Sequence, residues 1–307
     1  MRKIFDCIIV GGGPAGLTAA VYLARFRRQT LVLDRGGSRA AMISKSRNYP
    51  GFPDGIGGRE LLSRLLQQAE CYGAEFRRSN VTSIEREGPD WRVVGDGINL
   101  IGRAVLLATG VYNHRPDVSD GVHDAALAAG KLRYCPICDG YEAGGPASEA
   151  RIGVLGASSH GVAEALFLRR YTPYVLLFTL EACEMHEKDR DELGRAGIAW
   201  DPRPVTRYDF SGDAVRLEFA DGSFAVVDTL YPALGSKPNV ELAKQLGIRV
   251  DEENCVLTDK KQRLGLRGLY AAGDVVSALD QLSVAVGHAA IAATAIHNDL
   301  RECDGET

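Results

Sequence analysis

The chain has 307 residues, enough for about two domains, and an apolar share of 45% that can fill two cores. A formal net charge of -4 leaves no basic excess for a nucleic acid or an anionic membrane, so a small molecule or a protein is the expected partner. No run of ~20 uncharged apolar residues occurs, and the amino terminus enters a strand at once without a cleavable apolar leader, which together predict a cytoplasmic protein that does not span a membrane.

Residues 4–10 are apolar and rich in β-branched side chains, and they run into Gly11, Gly12, Gly13, Pro14, Ala15 and Gly16 and then the helix-periodic LTAAVYLARF. The order is strand, glycine turn, helix. Gly11 permits the tight turn, Gly13 leaves room for a pyrophosphate, and Gly16 lets helix and strand pack closely. The pyrophosphate would meet free N–H groups and the positive end of the helix dipole. A second strand over residues 30–33 ends in Asp34, about twenty residues beyond the turn, where a carboxylate can bond the ribose hydroxyls of an adenosine. The set predicts a dinucleotide site rather than a purely structural glycine turn.

Residues 36–58 hold too many glycines, prolines and polar side chains for a regular element and read as a loop over the cofactor, its ordered part being Asn48, Tyr49, Pro50 and Gly51. A helix over 60–72 gathers Leu62, Leu65, Leu66 and Ala69 on one face. Short strands follow between turns at Gly88-Pro89 and Asp96-Gly97, the last of them running through 104–107 into Ala108, Thr109 and Gly110.

Cys135, Pro136, Ile137, Cys138, Asp139 and Gly140 form the one stretch able to do redox chemistry between side chains. Two cysteines at this spacing close a small disulfide or present a dithiol, and a helix start can lower a thiol pKa from ~8.5 toward ~7. Asp139 follows directly, placed to give a proton to a departing thiolate or take one from an attacking thiol. The bland alternative is half of a zinc site, which would need a second ligand pair. Cys7, Cys71, Cys183, Cys255 and Cys303 are scattered singly, and His114 and His123 have no matching spacing. Seven cysteines cannot all pair, and in a reducing compartment a lone CxxC is catalytic more often than structural.

At Arg151 the strand-turn-helix order recurs, through Gly156, Ala157, Ser158, Ser159, His160 and Gly161. Ser158 replaces the middle glycine and would occupy pyrophosphate space. The next strand, 174–179, leads to Leu180, Glu181, Ala182, Cys183 and Glu184, with no arginine to hold a 2′-phosphate. Glu181 could accept from the ribose of NADH or be a solvated surface acid. Residues 213–234 read as a hairpin through Asp221-Gly222 and then a single strand VVDTLYPALG. Residues 269–275 read as a strand whose terminal Asp274 can bond a ribityl hydroxyl. The last helix, 283 to about 298, is nearly all small or apolar and therefore expected to be buried, with His288 as a packing histidine and an N-terminus able to stabilise charge on a reduced flavin.

In order along nearly the whole chain, GGGPAG (11–16), NYPG (48–51), ATG (108–110), CPICDG (135–140), ALGSKPN (233–239) and AAGDV (271–275) resemble the low-molecular-weight thioredoxin reductase family. The resemblance implies an α/β fold of two Rossmann-like, three-layer ββα nucleotide-binding domains, one inserted in the other. An FAD domain would comprise residues 1–112 and 241–307, a pyridine-nucleotide-type domain carrying the CxxC residues 113–240, and the protein would be a homodimer. By position, Cys138 would lie beside the flavin, Cys135 would exchange with the substrate disulfide, and Asp139 would be the acid-base group. Gly11, Gly13, Pro14, Ala15, Gly16, Asp34, Asn48, Thr109, Gly110, Gly273, Asp274 and Gln281 would contact FAD. No metal is implied.

The departure from the family lies where NADPH should bind: GASSHG at 156–161 and Thr179, Leu180, Glu181 stand in place of the second glycine motif and its HRR stretch. Poor use of NADPH follows, with NADH or a ferredoxin-type protein as the alternative donor. The expected activity is electron transfer between flavin and the Cys135/Cys138 pair and on to a thioredoxin-like protein or a small disulfide. The alternatives are a dithiol oxidase that passes electrons to oxygen, and a non-catalytic flavin-binding module. Oxidases of the family usually carry histidine after the CxxC, so Asp139 favours disulfide reduction.

Overall fold

A computed structural model describes residues 3–145, 147, 149–156 and 159–305. The chain forms two compact units, the first comprising residues 1–43, 56–112 and 237–307 and the second residues 44–55 and 113–236. Each is built on its own sheet with helices packed against it, which is the doubly Rossmann-like α/β class with one unit interrupting the other.

In the first unit the parallel strands Glu75–Arg78, Thr30–Asp34, Ile4–Val10 and Ile98–Leu107 lie side by side. Ile98–Leu107 is long enough to serve two neighbours along its other edge. Its first half pairs antiparallel with Asp90–Gly95, and its second half takes Leu269–Ala271 in parallel. The period-two alternation of strands divides the side chains between two cores. Ile9, Val32 and Leu106 face the helices Pro14–Arg25 and Leu282–Asp304, while Ile8, Leu31 and Val105 face a second cluster with Trp91 and Val93. Alanines dominate the helix-facing core, among them Ala19, Ala20, Ala289, Ala292 and Ala293, because small side chains let the two helices approach each other closely.

Several local expectations need correction. The strand at 269 stops at Ala271, since Gly273 turns the chain in a left-handed conformation (φ +83), so Asp274 stands beyond the strand end. The final helix runs six residues past Asn298 to Asp304, where a left-handed Gly305 ends it and Arg28 and Arg103 pair with Asp304. Only one side of this helix is buried; Ile291 is exposed. The helix at 60–72 spans Gly58–Cys71 and buries Leu61 and Ala69 most deeply, with Leu62, Leu65 and Leu66 half-buried. The segment at 36–58 contains one short 3-10 turn, Arg39–Met42, and its part from 44 to 55 groups with the second unit.

In the second unit Ala199–Asp209, Val175–Thr179, Ile152–Leu155 and Thr229–Pro232 are parallel, and the hairpin Val215–Phe219 and Phe224–Val227 extends the sheet antiparallel from Ala199–Asp209. Helices Ser159–Leu168 and Glu187–Ala196 cover a core of Ile152, Val154, Val162, Leu168, Leu177 and Tyr231. The stretch read as a single strand VVDTLYPALG is two. Asp228 breaks it: its N–H donates to the Arg151 carbonyl, and its carboxylate accepts from the Arg151 N–H, so the chain leaves one sheet edge and joins the other. Among the described residues no helix is long and apolar enough to cross a membrane.

Candidate active site

Cys135 and Cys138 are joined by a disulfide, with their Cα atoms 5.2 Å apart. The pair opens the helix Pro136–Ala143, for which Cys135 is the N-cap and Pro136 the first residue, where a missing N–H costs nothing. The Cys138 N–H donates to the Cys135 carbonyl (2.9 Å) and points at the Cys135 Sγ (3.1 Å). A thiolate formed at Cys135 on reduction would therefore meet a backbone donor and the positive end of a helix, both of which lower a thiol pKa. Ile137, between the cysteines, and Tyr141, one turn on, are exposed.

Asp139 is largely buried and held at both oxygens. Arg133 Nη1 donates to Oδ2 (2.9 Å) and the Tyr231 hydroxyl donates to Oδ1 (2.6 Å). Burial pushes the Asp139 carboxyl above its ordinary range, and Arg133 and Tyr231 oppose that shift without cancelling it. A carboxyl so placed can hold a proton closer to neutrality than a solvated aspartate. Gly140 is required by packing, since a Cβ there would lie 2.8 Å from the Tyr171 ring.

In the first unit the glycine turn is built as its spacing implies. Gly11 has φ +116, and a Cβ on it would stand 2.2 Å from the Ala108 carbonyl oxygen; a Cβ on Gly16 would stand 1.9 Å from the Gly11 carbonyl oxygen. Gly13 caps the helix Pro14–Arg25 with no side-chain hydrogen bond, and no acid occupies the first turn. Asp34 Oδ1 accepts from the Gly12 N–H (3.1 Å), which ties the end of the second strand to the turn. Gly273 comes so close to Ala15 that a Cβ on it would lie 2.8 Å away. Beyond it, Arg39 bridges Asp274 (2.8 Å) and Asp280 (3.0 Å), next to Gln281, the N-cap of the last helix. Thr109 is locked by reciprocal bonds with Asn239, its hydroxyl to the Asn239 carbonyl (2.7 Å) and the Asn239 amide to its own carbonyl (2.9 Å), and Gly110 beside it is left-handed (φ +63).

The second unit repeats the two close glycine contacts. Gly156 has φ +131 with its Cβ direction blocked by the Ala233 carbonyl oxygen at 2.7 Å, and a Cβ on Gly161 would meet the Gly156 carbonyl oxygen at 1.6 Å. Ala157 and Ser158, and with them the expectation placed on Ser158, lie outside the described residues. Glu181 and Glu184 are exposed beyond the end of the following strand.

Residues 5–289 match the family model described as pyridine nucleotide-disulphide oxidoreductase. The chain belongs to that family. The thioredoxin reductase of Listeria monocytogenes serovar 1/2a is 30% identical to it over 307 residues, which cover 95% of this chain and 92% of that protein. Among solved structures, that of HlmI is 30% identical with a TM-score of 0.90, covering 99% of this chain and 96% of the other. The oxidoreductase of Agrobacterium tumefaciens is 27% identical with a TM-score of 0.82, covering 98% and 99%. This oxidoreductase is thus a flavin-dependent disulfide oxidoreductase of the thioredoxin reductase type.

Membership implies FAD, and the residues of the first unit fit it. Gly11 and Gly16 hold the turn close, and Gly13, with nothing nearer its Cβ direction than the Ser38 hydroxyl at 3.4 Å, leaves open space at a helix N-terminus suited to a pyrophosphate, with Asp34 bonded to Gly12 and Gly273 against Ala15. Asn48 lies in the segment that groups with the second unit, where its amide donates to the Ile137 carbonyl (3.4 Å) and the Ser46 hydroxyl donates to its Oδ1 (3.0 Å). Within this oxidoreductase His288 is not the satisfied packing residue expected: among the described residues its buried Nδ1 has no hydrogen-bond partner. Sequence reasoning passed over Arg39, Arg133 and Tyr231. Arg133 carried a readable signal, a basic residue two places before the CxxC; Tyr231, 92 residues from Asp139, carried none.

Proposed function

We propose that this oxidoreductase reduces the disulfide of a thioredoxin-like protein or of a small molecule through Cys135 and Cys138, with Asp139 as its acid-base group. FAD, when bound in the first unit by Gly11, Gly13, Pro14, Ala15, Gly16, Asp34, Thr109, Gly110, Gly273, Asp274 and Gln281, would supply the electron pair. The observation that carries the reading is the Cys135–Cys138 disulfide at a helix start beside a buried carboxyl.

Taking up two electrons and two protons, the disulfide becomes a dithiol. The Cys135 thiolate, favoured by the Cys138 N–H, attacks one sulfur of the substrate disulfide, forming a mixed disulfide and releasing one substrate thiol. The Cys138 thiolate then attacks the Cys135 Sγ, which restores the original bond and releases the second substrate thiol. Asp139 accepts the proton of the attacking thiol and returns it to the departing one. Exposed Ile137 and Tyr141 offer an apolar margin for a protein partner. For the electron donor, Glu181 and Glu184 at the strand end and the missing arginines disfavour the 2′-phosphate of NADPH and leave NADH or a ferredoxin-type protein. FAD is assigned to the unit of residues 1–43, 56–112 and 237–307, and the CxxC with a pyridine-nucleotide-type fold to that of residues 44–55 and 113–236, in a cytoplasmic homodimer.

Anaerobic dithionite titration of the purified yellow protein tests the reading. About four electrons per chain should be consumed, two by flavin and two by the disulfide, falling to about two when both cysteines are replaced by serine. Uptake of two electrons by the unaltered protein would overturn it.

A further inference from the structure

Asp139 does not stand alone. Tyr231 lies on the strand Thr229–Pro232 at one edge of the second sheet, has no exposed surface, and is paired in register with Val154 on the neighbouring strand. Its hydroxyl donates to Asp139 Oδ1 at 2.6 Å. Arg133 donates to the other carboxylate oxygen at 2.9 Å, and its own Nε is tied to the Gly130 carbonyl at 3.1 Å. Both oxygens of the carboxylate thus carry a donor, one from a rigid strand and one from an anchored loop. The geometry points to Tyr231 and Arg133 as positioning residues that hold Asp139 in one orientation and set the pH range over which the Cys135/Cys138 pair exchanges. This rests on the acid-base role proposed above for Asp139.

The physical argument is one of protonation states. An ionised carboxylate accepts both donors at once, whereas a protonated one must give up or reshape a bond to make room for its own hydrogen, so both contacts favour the charged form. Burial favours the neutral form, as does Glu142 on the same helix. Burial keeps the Tyr231 phenol protonated, hence a donor, and the negative charges of Asp139 and of Glu164 on the helix Ser159–Leu168 add to that against Arg133. Arg133 stands at the loop preceding the helix and is the cation of the group. A hydrogen bond to a charged group is strong enough to displace a carboxyl titration by about one pH unit or more.

In the exchange step Asp139 takes the thiol proton, the thiolate attacks the substrate disulfide, and the proton passes to the departing thiolate. Its rate therefore rises with pH as Asp139 ionises. The test reduces holoenzymes anaerobically with dithionite and follows reoxidation by hydroxyethyl disulfide across roughly pH 5 to 9. The wild type is expected to show an ascending limb that Asp139→Asn lacks. Tyr231→Phe, which keeps the ring and loses the hydroxyl, moves that limb to higher pH by about one unit or more while the plateau rate changes little. Arg133→Met moves it the same way, which keeps the test available should Tyr231→Phe fold poorly. A limb absent from Asp139→Asn but unmoved in both other variants overturns the positioning role alone. A wild-type limb in Asp139→Asn overturns both this role and the acid-base reading beneath it.

Discussion

Replacing Gly16 and Gly13 separately by alanine distinguishes the glycine that the fold requires from the glycine that the cofactor requires. On Gly16 the new Cβ would lie 1.9 Å from the Gly11 carbonyl oxygen, against an ordinary contact of 3.4 Å or more. Helix or strand must move by about 1.5 Å, and because the obstacle is backbone, no side chain can rotate away. Overpacking of this kind costs ~1–3 kcal/mol, here toward the upper end, and alanine returns at most ~1 kcal/mol of helix propensity. A net loss of ~2 kcal/mol lowers the melting temperature by roughly 4–8 °C for a domain of this size. Gly13 differs. Its backbone (φ -78, ψ -176) suits alanine, and the nearest neighbour of a Cβ is the Ser38 hydroxyl at 3.4 Å. The substitution should cost about 0.5 kcal/mol for the poorer cap, yet place a methyl group where the pyrophosphate must approach, reducing FAD affinity about tenfold or more. Thermal melts of the flavin-free proteins and visible absorbance during FAD titration read the two effects apart. If Gly13→Ala melts as low as Gly16→Ala, or retains FAD like the wild type, the assignment of roles is refuted.

Three further outcomes are expected. Asp139→Asn should slow disulfide turnover by about 10²–10⁴-fold with the flavin spectrum intact, as read by steady-state reduction of hydroxyethyl disulfide; a change under about threefold would remove its acid-base role. In a stopped-flow spectrometer NADPH should bleach the flavin slowly, and rapid bleaching at micromolar concentration would show that the acids beyond residue 179 do not govern donor choice. Asp280, pushed up to about 6 mainly by burial despite Arg39, binds its proton more tightly in the folded chain than at its ordinary 3.8 in the unfolded one. The folded state therefore carries the extra proton between those values, so Asp280's contribution to unfolding free energy falls as pH rises from about 4 to about 6. Urea midpoints across that window should decline less steeply for Asp280→Asn than for wild type; parallel declines would discount the shift.

Contiguous residues were enough to read the fold class and the closely spaced cysteine pair. The glycine turns at 11–16 and 156–161 encode their geometry locally, because only glycine tolerates φ values of +116 and +131 and the close carbonyl contacts that follow. The spacing of Cys135 and Cys138 likewise specifies a small ring at a helix start, and the six motifs in order were sufficient to show the family. What the sequence could not supply was any feature that depends on which distant strands become neighbours. The break at Asp228 arises from the backbone of Arg151, 77 positions away at the start of another strand, so the run VVDTLYPALG reads as one strand when taken by itself. Arg39 meets Asp274 and Asp280, and Tyr231 meets Asp139, across 235, 241 and 92 positions of chain. Those pairings, and the burial that raises the Asp139 and Asp280 carboxyls, follow from sheet register and packing, since a side chain's proton affinity depends on the groups that surround it in space and not on those beside it in the chain.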